Sequence, residues 1–179
     1  MTSPRLPDFL VIGANISEVT GDHRAATKSL RRAPSIYEEI PHRFEACKTR
    51  INLAGSMIAE QRFGPARAQL EAAILVAESG GYERLHALAL SHMAKLSYLN
   101  NDPDSCEAWA IRSNSVARSR DFLTLVFRNC YYLWKVAIDK KDPAAVRLNE
   151  RTLRSLVTRI GDSLPEAEEY RTAVGGGDA

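Results

Sequence analysis

The side chains that can move a proton, hold a metal or attack a carbonyl are few in this chain and poorly spaced for it. Its four histidines are His23, His42, His86 and His92. No HExxH run sets two of them one helical turn apart, no GxSxG run raises a serine on a strained turn, and no glycine-rich loop is there to cradle a phosphate. The run Gly21-Asp22-His23-Arg24 sits at a turn, where capping is the expected role. Asp102, Asp104 and Glu107 faintly resemble a calcium loop, but Pro103 interrupts them and the glycine such a loop turns on is missing. Cys47, Cys106 and Cys130 include no CxxC pair, so a zinc site is not expected. They read as small apolar residues on helix faces in a reducing compartment. No catalytic residue, metal site or cofactor is expected, and binding is the expected task rather than catalysis.

Charge offers more. Glu38-Glu39 and Glu168-Glu169 read as solvated helix faces. Cations cluster at Lys28, Arg31 and Arg32, at Arg112, Arg118 and Arg120, and at Arg147, Arg151, Arg154 and Arg159. The last group forms a stripe along one helix that could meet phosphates. The 24 Lys and Arg against 22 Asp and Glu leave a net charge of only +2, too small to make nucleic acid the main partner. The run Arg128-Asn129-Cys130-Tyr131-Tyr132-Leu133-Trp134-Lys135, with Phe122 and Phe127 just before it, is unusually aromatic. It is either core against the tail or a contact patch, with Phe127 and Trp134 as the interface residues of a self-associating form. At 45% hydrophobic and 26% charged the composition is that of a soluble globular protein. No apolar run approaches the ~20 residues of a membrane span, and MTSPRLPDFL lacks the apolar core of a secretory signal. A cytoplasmic location with no membrane partner is expected.

Helices must position these residues, and they come in copies. VAESGGY at 76–82 returns as VARSRDF at 116–122, a shift of 40. The same shift aligns Ala14, Ala54, Ala94 and Trp134; Ala26, Ala66, Cys106 and Val146; Ala33, Ala73, Ser113 and Leu153; and Ile36, Val76, Val116 and Leu156. A further column, Leu30, Leu70 and Ala110, fails at Glu150. Turn signals recur in register at Gly21-Asp22, Phe63-Gly64-Pro65, Asp102-Pro103 and Asp142-Pro143. Four units result, 1–41, 42–81, 82–121 and 122–162, each a helical hairpin whose apolar face is buried only by stacking on its neighbours. Helices are expected from Arg43 to Gln61, Pro65 to Ser79 and Tyr82 to Leu99. Asp102 and Asp142 are expected to cap helices that begin at Pro103 and Pro143. Pro34 and Pro41 leave the first unit irregular, with a kinked second helix favoured. No alternation of period two suggests a strand. Pro165 to Thr172 reads as a short helix capped by Ser163, with LPEAEEYR as a polar cap on the array, and GGGDA reads as a linker or cut edge.

These columns resemble the tetratricopeptide-repeat family over about 1–160. Its signature is a large and a small residue in the first helix, then Ala, a large residue and Ala in the second. Leu53-Ala54, Ala66, Leu70 and Ala73 match it, and Met93-Ala94, Cys106, Ala110 and Ser113 match more loosely. The first unit matches at Gly13-Ala14, Ala26, Leu30 and Ala33, and the fourth departs most. The period of 40 exceeds the family's usual 34, as in stretched repeats of bacterial regulatory proteins. The resemblance implies an all-α, right-handed solenoid of four hairpins plus a short C-terminal capping helix, over a single domain 1–172 with a flexible tail 173–179. It implies a concave groove lined by first helices. Carried over, the groove positions are Asn15, Lys48, Asn52, His92, Lys95, Arg128, Tyr131, Tyr132 and Lys135. This basic, amide-rich set with two tyrosines suits an acidic protein or peptide partner. It departs from the family's carboxylate clamp at Val11. Tyr131 and Tyr132 stay open between groove and core. The implied role is sensing or scaffolding in a transcription-related regulator, with a homodimer through the aromatic hairpin and nucleic-acid binding through the Arg stripe as alternatives.

Overall fold

The computed structural model describes residues 42–161 and 164–175. The first unit, Asn15 within it, and Ser163 lie outside the described residues. Seven helices and no strand are found among the described residues: α1 (Arg43–Ala59), α2 (Phe63–Ser79), α3 (Glu83–Leu99), α4 (Pro103–Ser119), α5 (Leu123–Asp139), α6 (Pro143–Ile160) and α7 (Pro165–Gly175). Helices α1 to α5 have 17 residues each, and the starts of α1 to α6 recur every 20 residues. The sequence period of 40 is therefore two helices, as expected from its columns.

The connections have one geometry. At the end of α1, the Arg62 N–H bonds the Met57 carbonyl at 2.8 Å and the Gln61 N–H bonds the Ile58 carbonyl at 3.0 Å. This is the Schellman arrangement, which satisfies carbonyls that the helix end would orphan. The same pair of bonds closes α2, α3 and α5, and α4 ends in the same way with a longer second bond of 3.5 Å. The arrangement needs a left-handed residue, and Gln61, Gly81, Asn101, Asp121 and Lys141 supply it with φ of 58°, 65°, 56°, 54° and 55°. Only Gly81 adopts that conformation without a Cβ penalty. The Gly80-Gly81 stop is as expected.

Helix starts differ slightly from expectation. Helix α2 begins at Phe63 rather than Pro65. Pro65 falls within the first turn, where its missing N–H has no intrahelical partner to lose. Asp102 accepts from the Ser105 N–H at 3.1 Å and Asp142 from Ala144 and Ala145 at 3.0 and 3.1 Å, as caps should. Helix α7 runs three residues beyond the expected Thr172.

The described residues divide into two compact units, and the division falls inside α3, between His92 and Met93. In the N-terminal unit α1 and α2 pack as a hairpin around Cys47, Ile51, Leu53, Leu70 and Ala73, all fully or almost fully buried. The Cys47 thiol donates to the Ala73 carbonyl at 3.3 Å across this pair. In the C-terminal unit α5 packs against α4 and α6, and α7 lies on α5. The column residues Ala54, Ala66, Ala73, Ala94, Cys106 and Ala110 have no exposed surface. Where Ser113 replaces alanine in its column, the buried Asn129 amide donates to its hydroxyl at 2.8 Å. The polar substitution is compensated across the helix pair.

Candidate functional site

Helix α5 carries Arg128, Tyr131, Tyr132 and Lys135 three or four residues apart, so all four share one face. Lys95 and Tyr98 are likewise one turn apart on α3. Helix α7 lies against this face with Glu166, Glu169 and Tyr170, again at helical spacing. Glu166 is only 2% exposed. Its Oε1 lies 3.5 Å from the Lys95 ammonium and 3.3 Å from Arg128 Nε, and accepts from the Tyr132 hydroxyl at 3.3 Å. Tyr131 donates to Glu169. The Lys135 ammonium stands 5.1 Å above the Tyr98 ring and 5.6 Å above the Tyr131 ring, a cation–π position.

Aromatic rings fill the space beneath. Tyr170 of α7 stands edge-on to Phe127 at 6.1 Å and to Trp134 at 5.4 Å. Tyr131 meets Tyr132 at 5.3 Å, and Tyr132 meets Tyr98 at 5.7 Å. Trp134 thus has a use for its size in a column that is alanine elsewhere. It reaches the helix that comes after the array. Arg171 fastens the other side of α7 by donating to the Val157 and Gly161 carbonyls at 3.2 and 2.8 Å, at the open C-terminal end of α6.

The electrostatics arise from burial and pairing. Burial alone would raise the Glu166 carboxyl, but Arg128, Lys95 and its own backbone N–H outweigh it and hold the group below the usual carboxylate range. Burial pushes both phenols upward, with Glu169 adding for Tyr131 and Glu166 for Tyr132. Both tyrosines are therefore neutral donors facing carboxylates. The pairing is incomplete. Arg128 Nε meets Glu166 at ion-pair distance without hydrogen-bond alignment, and Glu166 Oε2 is buried with no hydrogen-bond partner among the described residues. Beside the cluster, a cleft of about 600 Å³ opens between α5 and α7, lined by Trp134, Tyr131, Lys135, Ile138, Glu168 and Glu169.

Of the groove candidates, Lys95, Arg128, Tyr131, Tyr132 and Lys135 lie together in the C-terminal unit. Lys48 and Asn52 are half-buried, one turn apart on α1, and His92 lies in the same N-terminal unit, its ring next to Gly55. Phe127, an interface candidate, is fully buried beneath Tyr170, and Trp134 is half-buried. Arg147, Arg151, Arg154 and Arg159 are exposed on α6, with Arg154 bonded to Glu150 at 2.6 Å.

Sequence reasoning missed Glu166, Glu169 and Tyr170 as members of the site, because LPEAEEYR read as a polar outer cap. The structure corrects this for Glu166 and for Glu169. Glu166 faces inward, and Glu169, though exposed, accepts from Tyr131 rather than being merely solvated. The overlooked signal is the spacing of Ala167 and Tyr170, which marks the buried face and places Glu166, four residues before Tyr170, on it.

No family model matches this chain, and a search of the curated proteins finds no match.

The other candidate chemistries have structural explanations. Asp102 is a cap, while Asp104 and Glu107 hold Lys140 at 2.7 and 2.9 Å. All three cysteines are fully buried, and burial pushes the Cys47 thiol up to about 11 and Cys106 to about 12. Neither is a thiolate at neutral pH. Among the described residues no three His, Cys, Asp or Glu side chains gather to hold a metal ion, and no helix is long and apolar enough to cross a membrane.

Proposed function

We propose that this chain is a helical-repeat recognition module of the tetratricopeptide-like kind, which takes an acidic segment of a protein partner on the faces of its first helices. One observation carries the reading. Four positions that the family resemblance assigns to a groove, Lys95 on α3 and Arg128, Tyr131 and Tyr132 on α5, converge on carboxylates of a single acidic helix, α7. A surface that has gathered two cations and one phenol donor around a buried glutamate, with a second phenol on the exposed Glu169, has the chemistry for an acidic ligand. Recognition rather than catalysis is the role, in keeping with a sensing or scaffolding part of a regulatory protein.

The test is fluorescence anisotropy of the full chain with labelled helical peptides that differ only in acidic content. Acidic peptides are expected to bind, neutral ones not. Lys135→Glu, at the rim of the cleft, is expected to weaken the acidic set about tenfold, or ~1.4 kcal/mol. Equal binding of acidic and neutral peptides would sink the reading.

A further inference from the structure

We infer that the surface beneath α7 is a docking site for an amphipathic acidic helix of a partner protein, that α7 is its resident stand-in, and that the partner binds by exchanging with it. This rests on the recognition reading above and specifies both the form of the ligand and the mode of its entry.

Three observations lead here. The first is charge complementarity. Lys95 and Arg128 come from different helices and meet at one oxygen of Glu166, which is 2% exposed. Two cations with a buried carboxylate form a socket for a helix-borne glutamate. The second is the footprint α7 leaves. It presents a glutamate, then the fully buried Ala167, then Tyr170 between Phe127 and Trp134. A partner helix that satisfies the same socket needs Glu-Ala-x-x-Tyr or Glu-Ala-x-x-Phe. The small residue lets the helix approach, and the aromatic four positions on fills the space between the rings. The third is imperfect pairing. Arg128 Nε is unaligned and Glu166 Oε2 has no hydrogen-bond partner among the described residues. A tethered helix tolerates such losses because its effective concentration is on the order of millimolar. A partner that supplies the missing bonds competes without needing a larger interface, and its apparent affinity is lowered by the fraction of chains in which α7 is docked.

The experiment uses the full chain and a labelled synthetic peptide with the sequence of residues 164–175. Two variants loosen α7 by different means, Glu166→Ala at the socket and Tyr170→Ala at the aromatic anchor. Hydrogen exchange is followed on all three chains. The expected result has α7 amides exchanging freely in both variants while α4, α5 and α6 stay protected. Both variants should bind the peptide at least about tenfold more tightly than the unaltered chain. A peptide with glutamine at the position of Glu166 should lose that gain. Four results would overturn the inference. One is α7 released but no tighter binding. Another is α7 amides still protected in both variants, so that it does not exchange. A third is loss of protection throughout α4 to α6, which would make α7 part of the core rather than an occupant. The last is equally tight binding by the unaltered chain, which would refute the stand-in role yet leave acidic recognition intact. Absence of acidic-peptide binding by every chain would instead refute the recognition reading itself.

Discussion

At the scale of residues, Glu166 decides the site. Removing it leaves Lys95 and Arg128 facing each other with no carboxylate between them. Both retain some solvent exposure, so Glu166→Ala should cost about 2–3 kcal/mol, at or below the lower end for breaking a buried pair. Urea unfolding of the C-terminal unit would measure it, with Glu166→Gln separating loss of charge from loss of shape. The pH dependence has a definite sign. The folded carboxyl titrates below its unfolded value, so its contribution is complete above the ordinary glutamate range and disappears as pH falls through the depressed folded value. Acid should therefore loosen α7 first. Trp134 fluorescence in a Trp109→Phe background should report this, since Trp134 touches Tyr170. Glu166→Gln should abolish that transition. The site was half legible at this scale. Lys95, Arg128, Tyr131, Tyr132 and Lys135 were singled out by the resemblance to the tetratricopeptide-repeat family, as positions beside the large–small pair. Glu166 could not be read so directly, because a glutamate in a polar heptad is ordinarily solvated, and only the partners across space make it buried.

At the scale of elements, the turns determine the spacing of the helices. Four of the five left-handed positions between α1 and α6 carry side chains. Gln61→Gly and Lys141→Gly should each stabilise the fold by about 0.5–1 kcal/mol, because Gly has no Cβ to strain at positive φ. Asn101→Gly and Asp121→Gly should gain less, since Asn and Asp tolerate that region better. Gly81→Ala should lose about 1 kcal/mol for the converse reason. Thermal or urea unfolding of these single variants would rank them, and equal effects at all five would contradict a common turn geometry. Asp142→Ala should cost about 1 kcal/mol by uncapping α6, measured in the same way. The caps and stops were legible because Asp-Pro and Gly-Gly have local causes. The connection at Gln61-Arg62 was not, since neither residue signals a left-handed turn and the flanking helices impose it. The start of α2 was misplaced for a related reason, as Pro65 marks a first turn without marking which of its residues.

At the scale of the whole chain, the repeat was the most legible property. Recurring small residues such as Ala54 and Ala94 become fully buried positions, and the period of 40 becomes pairs of helices. The docking of α7 on the last hairpin was legible only as one of two readings of the aromatic run, core against the tail or a contact patch, because α7 breaks the period and its contacts are all non-local. Self-association is decided at this scale. With Phe127 buried under Tyr170, the chain is expected to remain monomeric from low to high salt in light scattering. A salt-insensitive dimer would favour assembly through Trp134 and Ile138 instead.

The pairing of Glu166 with Lys95 also sets a timetable for biosynthesis. The ribosome makes the cation roughly 70 residues before the carboxylate that neutralises it, an interval of several seconds at ~5–20 residues per second. The α5 side chains of the same face, Phe127 to Lys135, follow only roughly 30–40 residues before Glu166, so the face is complete for about the last half of that interval. Lys95 alone waits the whole interval for its carboxylate, and α7 can dock only as the last step of folding.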